Sequence, residues 1–233
     1  MRFTTWNCRV GGFRRKASRI SSLRPDVLVV PECEDLRSLL LLDGELQPSS
    51  RDWHPASVST RGVGVLSYTG AELVAAPPLG RPIEFFVPLV ATKGPETCQV
   101  AAVWTSATED RSTTYRQAHE GLDRYRDWIK ARDTVIMGDF NNATDDRKPW
   151  RELVERIEAL GLVSAYHQFF HEDFGQESRK TYFHRGKESS TRHIDYCFIP
   201  AAWAPRIKNV EVGLHGEWSE LSDHVPVTVD IEF

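Results

Sequence analysis

Side chains able to handle protons, phosphates or metal ions recur along this chain where apolar, strand-like runs end. They stand in Trp6-Asn7, Pro31-Glu32, Asp139-Phe140-Asn141, His193-Ile194-Asp195-Tyr196 and Ser222-Asp223-His224-Val225-Pro226. Burying a lone carboxylate is costly unless it is paired or bound to a cation. One such residue would signify a satisfied core polar group. Four carboxylates in these positions, Glu32, Asp139, Asp195 and Asp223, point to a common site holding a hard cation. Mg²⁺ suits such a site, because it prefers oxygen ligands and is held by few protein carboxylates. Asp139 and Asn141 are two apart, so on an extended backbone they point the same way while Phe140 points into the packing. That pair suits a carboxylate receiving a proton from water beside an amide that donates to a phosphate. Taken singly, Asn7 reads as a turn residue, Asp195 as a surface salt-bridge partner and His224 as a loop residue. Their co-occurrence favours the shared site.

Positioning these groups requires strands and helices in a mixed order. A strand over Arg2–Trp6 leads through Gly11-Gly12 into a helix in which Phe13, Ala17, Ile20 and Leu23 share a face. Val27–Val30 reads as a buried strand, and Leu39–Leu42 as a second helix ending near Gly44. Strands follow at Gly62–Ser67, Glu84–Ala91 and Gln99–Thr105, separated by Pro/Gly loops. One long amphipathic helix is expected from Tyr115, Ala118, Leu122, Tyr125 and Ile129, then a strand at Thr134–Gly138 and a helix over Pro149–Leu160. The chain returns to strands around His193–Ile199, Val210–Val212 and Val225–Phe233. Without strict alternation of strand and helix, packed sheets with helices outside are expected.

The ordered set Trp-Asn, Glu, Gly-Asp-Phe-Asn, Ile-Asp-Tyr and Ser-Asp-His-x-Pro, running from Trp6 to Pro226, resembles the endonuclease/exonuclease/phosphatase superfamily of DNase I, exonuclease III and the neutral sphingomyelinases. The resemblance implies an α/β (α+β) fold, a four-layer αββα sandwich of two packed mixed sheets flanked by helices. It implies a metal-dependent hydrolase of phosphate esters with Mg²⁺ as cofactor, for which Mn²⁺ substitutes. Glu32 becomes the principal metal ligand, Asn7 its neighbour holding a metal-site carboxylate or a phosphate oxygen, and Asp223 a second or water-mediated ligand. Asp139 becomes the base, Asn141 a phosphate donor, and Asp195 and His224 a carboxylate–imidazole pair in which His224 is protonated and stabilises phosphoryl charge. The substrate expected first is DNA. A small phosphate ester, phosphoinositide or phospholipid head group is the alternative, and a non-catalytic binding protein of the same fold the third reading. Two departures stand out. Trp104, or Val103 in a shifted register, occupies a slot where many relatives carry His or Tyr, so no residue is assigned to protonate the leaving group. Pro31 stands where relatives often have Gln.

Other features bound the reading. At 233 residues and 40% hydrophobic content, the chain suits one domain over 1–233 with a full-sized core. A net charge of -4 and a pI near 6.1 disfavour a protein devoted to the DNA backbone, so a nucleic-acid partner needs a local basic patch. Arg9, Arg14, Arg15, Lys16, Arg19 and Arg24 supply one candidate, or else a solvated helix face. Four cysteines without a CxxC pair suit reduced thiols in the cytoplasm, with Cys8 and Cys33 as small buried fillers. No apolar run approaches the ~20 residues of a membrane span, no signal peptide is read, and no obligate protein partner is implied. His167 and His171 have a zinc-compatible spacing with His184 and His193 further on, but loop packing is preferred. Tyr182 is read as a substrate contact or as core, and the same choice attaches to Trp53, Trp150, Trp203 and Trp218.

Overall fold

The computed structural model describes residues 1–37, 47–56, 60–81, 83–105, 115–141 and 147–233. The helix expected at Leu39–Leu42 lies outside them. Strands β1 (Arg2–Thr5), β2 (Val27–Cys33), β3 (Ser50–Pro55) and β4 (Gly62–Ser67) join β13 (Ile207–Val212) and β14 (Val227–Ile231) in one sheet, ordered β13-β14-β1-β2-β4-β3. Strands β5 (Glu72–Ala75), β6 (Phe86–Lys93), β7 (Glu96–Trp104), β8 (Thr134–Asp139), β9 (Leu162–Ser164) and β12 (Asp195–Pro200) form the second, ordered β5-β6-β7-β8-β12-β9. A small ribbon pairs β10 (Tyr182–Phe183) with β11 (Thr191–Arg192).

Each large sheet carries one parallel pair at its centre. β1 and β2 are joined through α1 (Phe13–Ser21), and β7 and β8 through α2 (Arg116–Arg124) and α3 (Arg126–Ala131). A parallel pair needs such a crossover, whereas antiparallel neighbours need only a turn. The expected single helix from Tyr115 to Ile129 is two. Its backbone departs from helical geometry at Tyr125 (φ -100, ψ 14), yet Ala118, Leu122, Tyr125 and Ile129 stay buried across the break. Periodicity reports the buried face and is blind to a one-residue interruption.

Period-two alternation divides the second sheet's side chains between two cores. Val100, Ala102, Val135, Met137, Cys197 and Ile199 face the first sheet. Ala101, Val103, Ile136, Tyr196 and Phe198 pack beneath α2, α3 and α4 (Arg147–Glu158), meeting Leu122, Ile129, Leu153 and Ile157. On the first sheet, Phe13, Ala17 and Ile20 of α1 are buried at helical spacing. The layers are thus helix, sheet, sheet, helix, the expected sandwich. The same alternation puts Trp104, Asp139 and Asp195 on the inter-sheet face, where their strands end.

Candidate active site

Asp139 lies opposite Asp195 on the antiparallel partner β12 and opposite Trp104 on the parallel partner β7. Two buried carboxylates face to face repel, which costs stability unless positive charge lies between or beside them. The first sheet brings that charge. His224, just ahead of β14, places Nδ1 2.9 Å from Asp195 Oδ2, with both side chains almost fully buried. One ligand atom each from Asp139, Asp195 and His224 lies within 4.8 Å of the others. Asp195 Oδ1 is buried with no hydrogen-bond partner among the described residues, so the pocket's acceptor capacity is not filled by protein donors.

The local backbone is built for this convergence. Gly138 has φ 148, and a Cβ there would meet the Val103 carbonyl oxygen at 1.8 Å, so only glycine permits β8 to run this close to β7 just before Asp139. Asn141 reaches the same side as Asp139 by a different route from the one expected. The strand ends at Asp139, and Asn141 adopts left-handed geometry (φ 45). Its amide nitrogen donates to Asp139 Oδ2 (3.0 Å) and to the Thr105 carbonyl (2.5 Å), and its backbone N–H to Asp139 Oδ1 (2.9 Å). In this state Asn141 orients the carboxylate, where the extended-strand reading had it donate to a phosphate.

Asn7 Nδ2 bridges the sheets, donating to Asp139 Oδ2 at 2.8 Å and to Glu32 Oε1 at 3.3 Å. Its carbonyl accepts from Ser222 Oγ (2.8 Å), which in turn accepts from the His224 backbone N–H (3.0 Å). Glu32 sits inside β2 at left-handed φ 58, where the β2–β4 register shifts between Val30 and Cys33. Its Oε2 accepts from the Val10 N–H (2.7 Å) and pairs with Arg61. Asp223 pairs with Arg9 at 3.5 Å, and its carbonyl accepts from the Phe183 N–H at 2.7 Å. The fold therefore gathers all seven expected residues, Asn7, Glu32, Asp139, Asn141, Asp195, Asp223 and His224, at one end of the sandwich.

Electrostatics distinguishes their states. Burial, reinforced by the Asp195 charge, pushes the Asp139 carboxyl up to about 7, against the pull of His224 and the Asn7 donor. Burial alone would lower His224, but the Asp195 charge and hydrogen bond outweigh it and raise the imidazole to about 9. The Tyr182 ring lies 4.8 Å from the His224 ring, half-buried, so its place is beside the site and not in the core. Thr181 Oγ1 accepts from the Ile194 and Asp195 N–H groups, fixing the start of β12.

Three members of the basic cluster are engaged within the protein. Arg9 meets Asp223, Lys16 donates to the Cys8, Arg9 and Gly11 carbonyls, and Arg19 pairs with Glu217 over Trp218. Arg9 alone among these is tied to an expected site residue. His167 is buried between Ser164 and Glu177 within the short helix Ala165–Phe170, and His171 is exposed at that helix's end. Cys8 and Cys33 are fully buried, and burial drives the Cys33 thiol well above its usual range, as fillers require. Trp150, Trp203 and Trp218 are core residues. Arg61 and Thr181 were not legible as site residues, because each acts through a pairing across the fold, and Ser222 was legible in its motif but not in its role.

The sequence pattern of the Endonuclease/Exonuclease/phosphatase family matches residues 4–224. Comparison with curated protein sequences found no match. Among solved structures, the chain is similar to the 3' phosphatase NExo from Neisseria bound to a product DNA hairpin, with a TM-score of 0.71, 20% identity and full coverage of both chains. It is similar to the endonuclease domain of TRAS1, a telomere-specific non-LTR retrotransposon, at a TM-score of 0.70 and 13% identity over 99% of this chain and 97% of that one. A humanized TDP2 of D. rerio superposes at a TM-score of 0.66 with 14% identity over 100% and 99% of the two chains.

Proposed function

Because the chain belongs to the Endonuclease/Exonuclease/phosphatase family, whose members hydrolyse phosphate esters with a divalent metal ion, we propose that it is a Mg²⁺-dependent nuclease cleaving phosphodiester bonds in DNA, with Mn²⁺ able to substitute. The observation that carries this reading is the register of Asp139 against Asp195, two buried carboxylates served from the other sheet by His224. The donor set fits a divalent cation. Glu32, Asp223 and Asn7 offer oxygen donors, and Glu32 already engages a cation of the chain's own. Glu32 and Asp223 would hold the ion, with Asn7 beside them, and when bound it supplies Lewis-acid withdrawal of charge from a phosphoryl oxygen.

The remaining chemistry belongs to the protein. Asp139, with its carboxyl near 7, is matched to neutral pH as the group that takes a proton from the attacking water. Asn7 and Asn141 hold its oxygens in place. His224, protonated at neutral pH and locked through Nδ1 by Asp195, directs Nε2 at charge developing on the phosphoryl oxygens. Asn141 can transfer its amide donor to substrate if the Thr105 contact is released. DNA as substrate draws support from the NExo structure, which holds a DNA product. The test is strand cleavage of single- and double-stranded DNA and of RNA, with Mg²⁺ and with chelator. Absence of any metal-dependent cut overturns the nuclease reading.

A second reading keeps the chemistry and changes the substrate to a small phosphate ester or phospholipid head group. The net charge of -4 and the engagement of Arg9 and Arg19 by Asp223 and Glu217 favour it. Phosphate or head-group release from a substrate panel while nucleic acid stays intact would select it. No helix among the described residues is long and apolar enough to cross a membrane.

A further inference from the structure

Arg61 leads into β4 at the rim of this site, and two observations place its guanidinium between functional groups. Nη1 pairs with Glu32 Oε2. The guanidinium carbon lies 6.0 Å from the centre of the Trp104 ring. Trp104 is opposite Asp139 in register and is braced edge-on by Phe85 at 4.9 Å. Phe85 itself is held at φ 66, a left-handed conformation that a bulky residue adopts only when its surroundings impose it. Trp104 is thus a fixed aromatic face beside Asp139 with a cation next to it.

Glu32 cannot serve a divalent ion and Arg61 equally, since both draw on the same carboxylate charge. An arginine leaving Glu32 has a seat prepared on the Trp104 face, where cation–π attraction retains it within reach of the site. Its planar fork of donors matches two oxygens of a phosphate group. Resting on the metal-dependent reading above, we infer that Arg61 is a substrate-phosphate ligand that exchanges partners. It neutralises Glu32 while the metal is absent, and moves to the phosphate once the cation takes Glu32. Trp104 holds the guanidinium through the exchange. Metal and phosphate binding are then coupled through one side chain.

The proposal separates from a structural role by readouts that need no turnover. Mn²⁺ binding to the substrate-free protein is measured by electron paramagnetic resonance, and inorganic phosphate binding at saturating Mn²⁺ by calorimetry. In Arg61→Met, loss of the competing cation tightens Mn²⁺ binding by about fivefold or more. The same change weakens phosphate binding to the Mn²⁺-loaded protein by about tenfold. Arg61→Lys keeps the charge but loses the fork, so Mn²⁺ affinity stays near wild type while phosphate affinity falls. Trp104→Phe leaves Mn²⁺ affinity unchanged and weakens phosphate binding less than Arg61→Met. A wild-type protein that takes up no Mn²⁺ overturns the metal reading and this proposal with it. Wild-type uptake with unchanged or weaker Mn²⁺ affinity in Arg61→Met overturns the proposal alone, as does unaltered phosphate binding in that variant.

Discussion

Replacing Asp195 by Asn keeps the shape of the side chain and removes its charge, leaving His224 buried beside an amide. In the wild type the imidazole is held at about 9 against an ordinary 6.5. That difference corresponds to about 3 kcal/mol in favour of the protonated folded state. A base whose folded pKa is raised contributes stability that is fully present below its unfolded value and is lost as pH rises through the folded one. By linkage, about 2 kcal/mol of that contribution remains at pH 7.5 and almost none at pH 9.5. In Asp195→Asn, burial becomes the dominant influence and His224 should titrate below 6.5. The imidazole would then be neutral at neutral pH, and turnover should fall by about 10²–10⁴. The direct assay is an NMR pH titration of the His224 ring in metal-free protein. Urea denaturation between pH 7.5 and 9.5 then shows whether the wild type's decline flattens in the variant. A ring that still titrates near 9 without the Asp195 charge would refute the reasoning and make Asp139 or Asp223 the controlling partner.

Asp139→Asn should lower turnover by about 10²–10⁴ while leaving the fold intact by circular dichroism. Unchanged turnover would mean that the attacking water gives its proton elsewhere. Gly138→Ala should cost roughly 3 kcal/mol in urea denaturation, because its Cβ would collide with the Val103 backbone. A variant of wild-type stability would show that β7 and β8 separate without penalty. His193 is buried with its pKa depressed to about 4, and its Nδ1–H donates to the Arg179 carbonyl at 2.7 Å. A base depressed in this way favours the fold above its unfolded pKa of 6.5, and that advantage disappears as pH falls towards 4. Acid denaturation followed by fluorescence should therefore be shallower between these values in His193→Gln, by up to about 3 kcal/mol; coincident curves would count against it.

Alternation and helical spacing made most of the sandwich legible, because strands such as Val27–Cys33 and helices such as Arg147–Glu158 bury regular sets of apolar side chains. β3 was missed for a physical reason. Ser50–Pro55 forms the edge of its sheet and is half-buried along almost its whole length, so it has no apolar face to announce it. β5 is also an edge strand, with one buried side chain among its residues. The site residues were legible as types, since carboxylates at strand ends are expensive without a purpose. Their geometry was only partly legible. The left-handed turn that brings Asn141 back onto Asp139 replaces the expected extended route, and nothing in Gly-Asp-Phe-Asn encodes it by spacing. Arg61 was invisible because its meeting with Glu32 depends on the shifted register of β2 and β4, a property of two strands together.

Asp139 and Asp195 come from one sheet, whereas Asn7, Glu32 and His224 come from the other. Chemistry divided in this way measures the alignment of two slabs that are joined mainly by apolar contact. Mild denaturant or warmth that lets the slabs slip should silence the enzyme before either sheet melts. Catalysis would then serve as a more sensitive gauge of the interior's integrity than any spectrum of its strands.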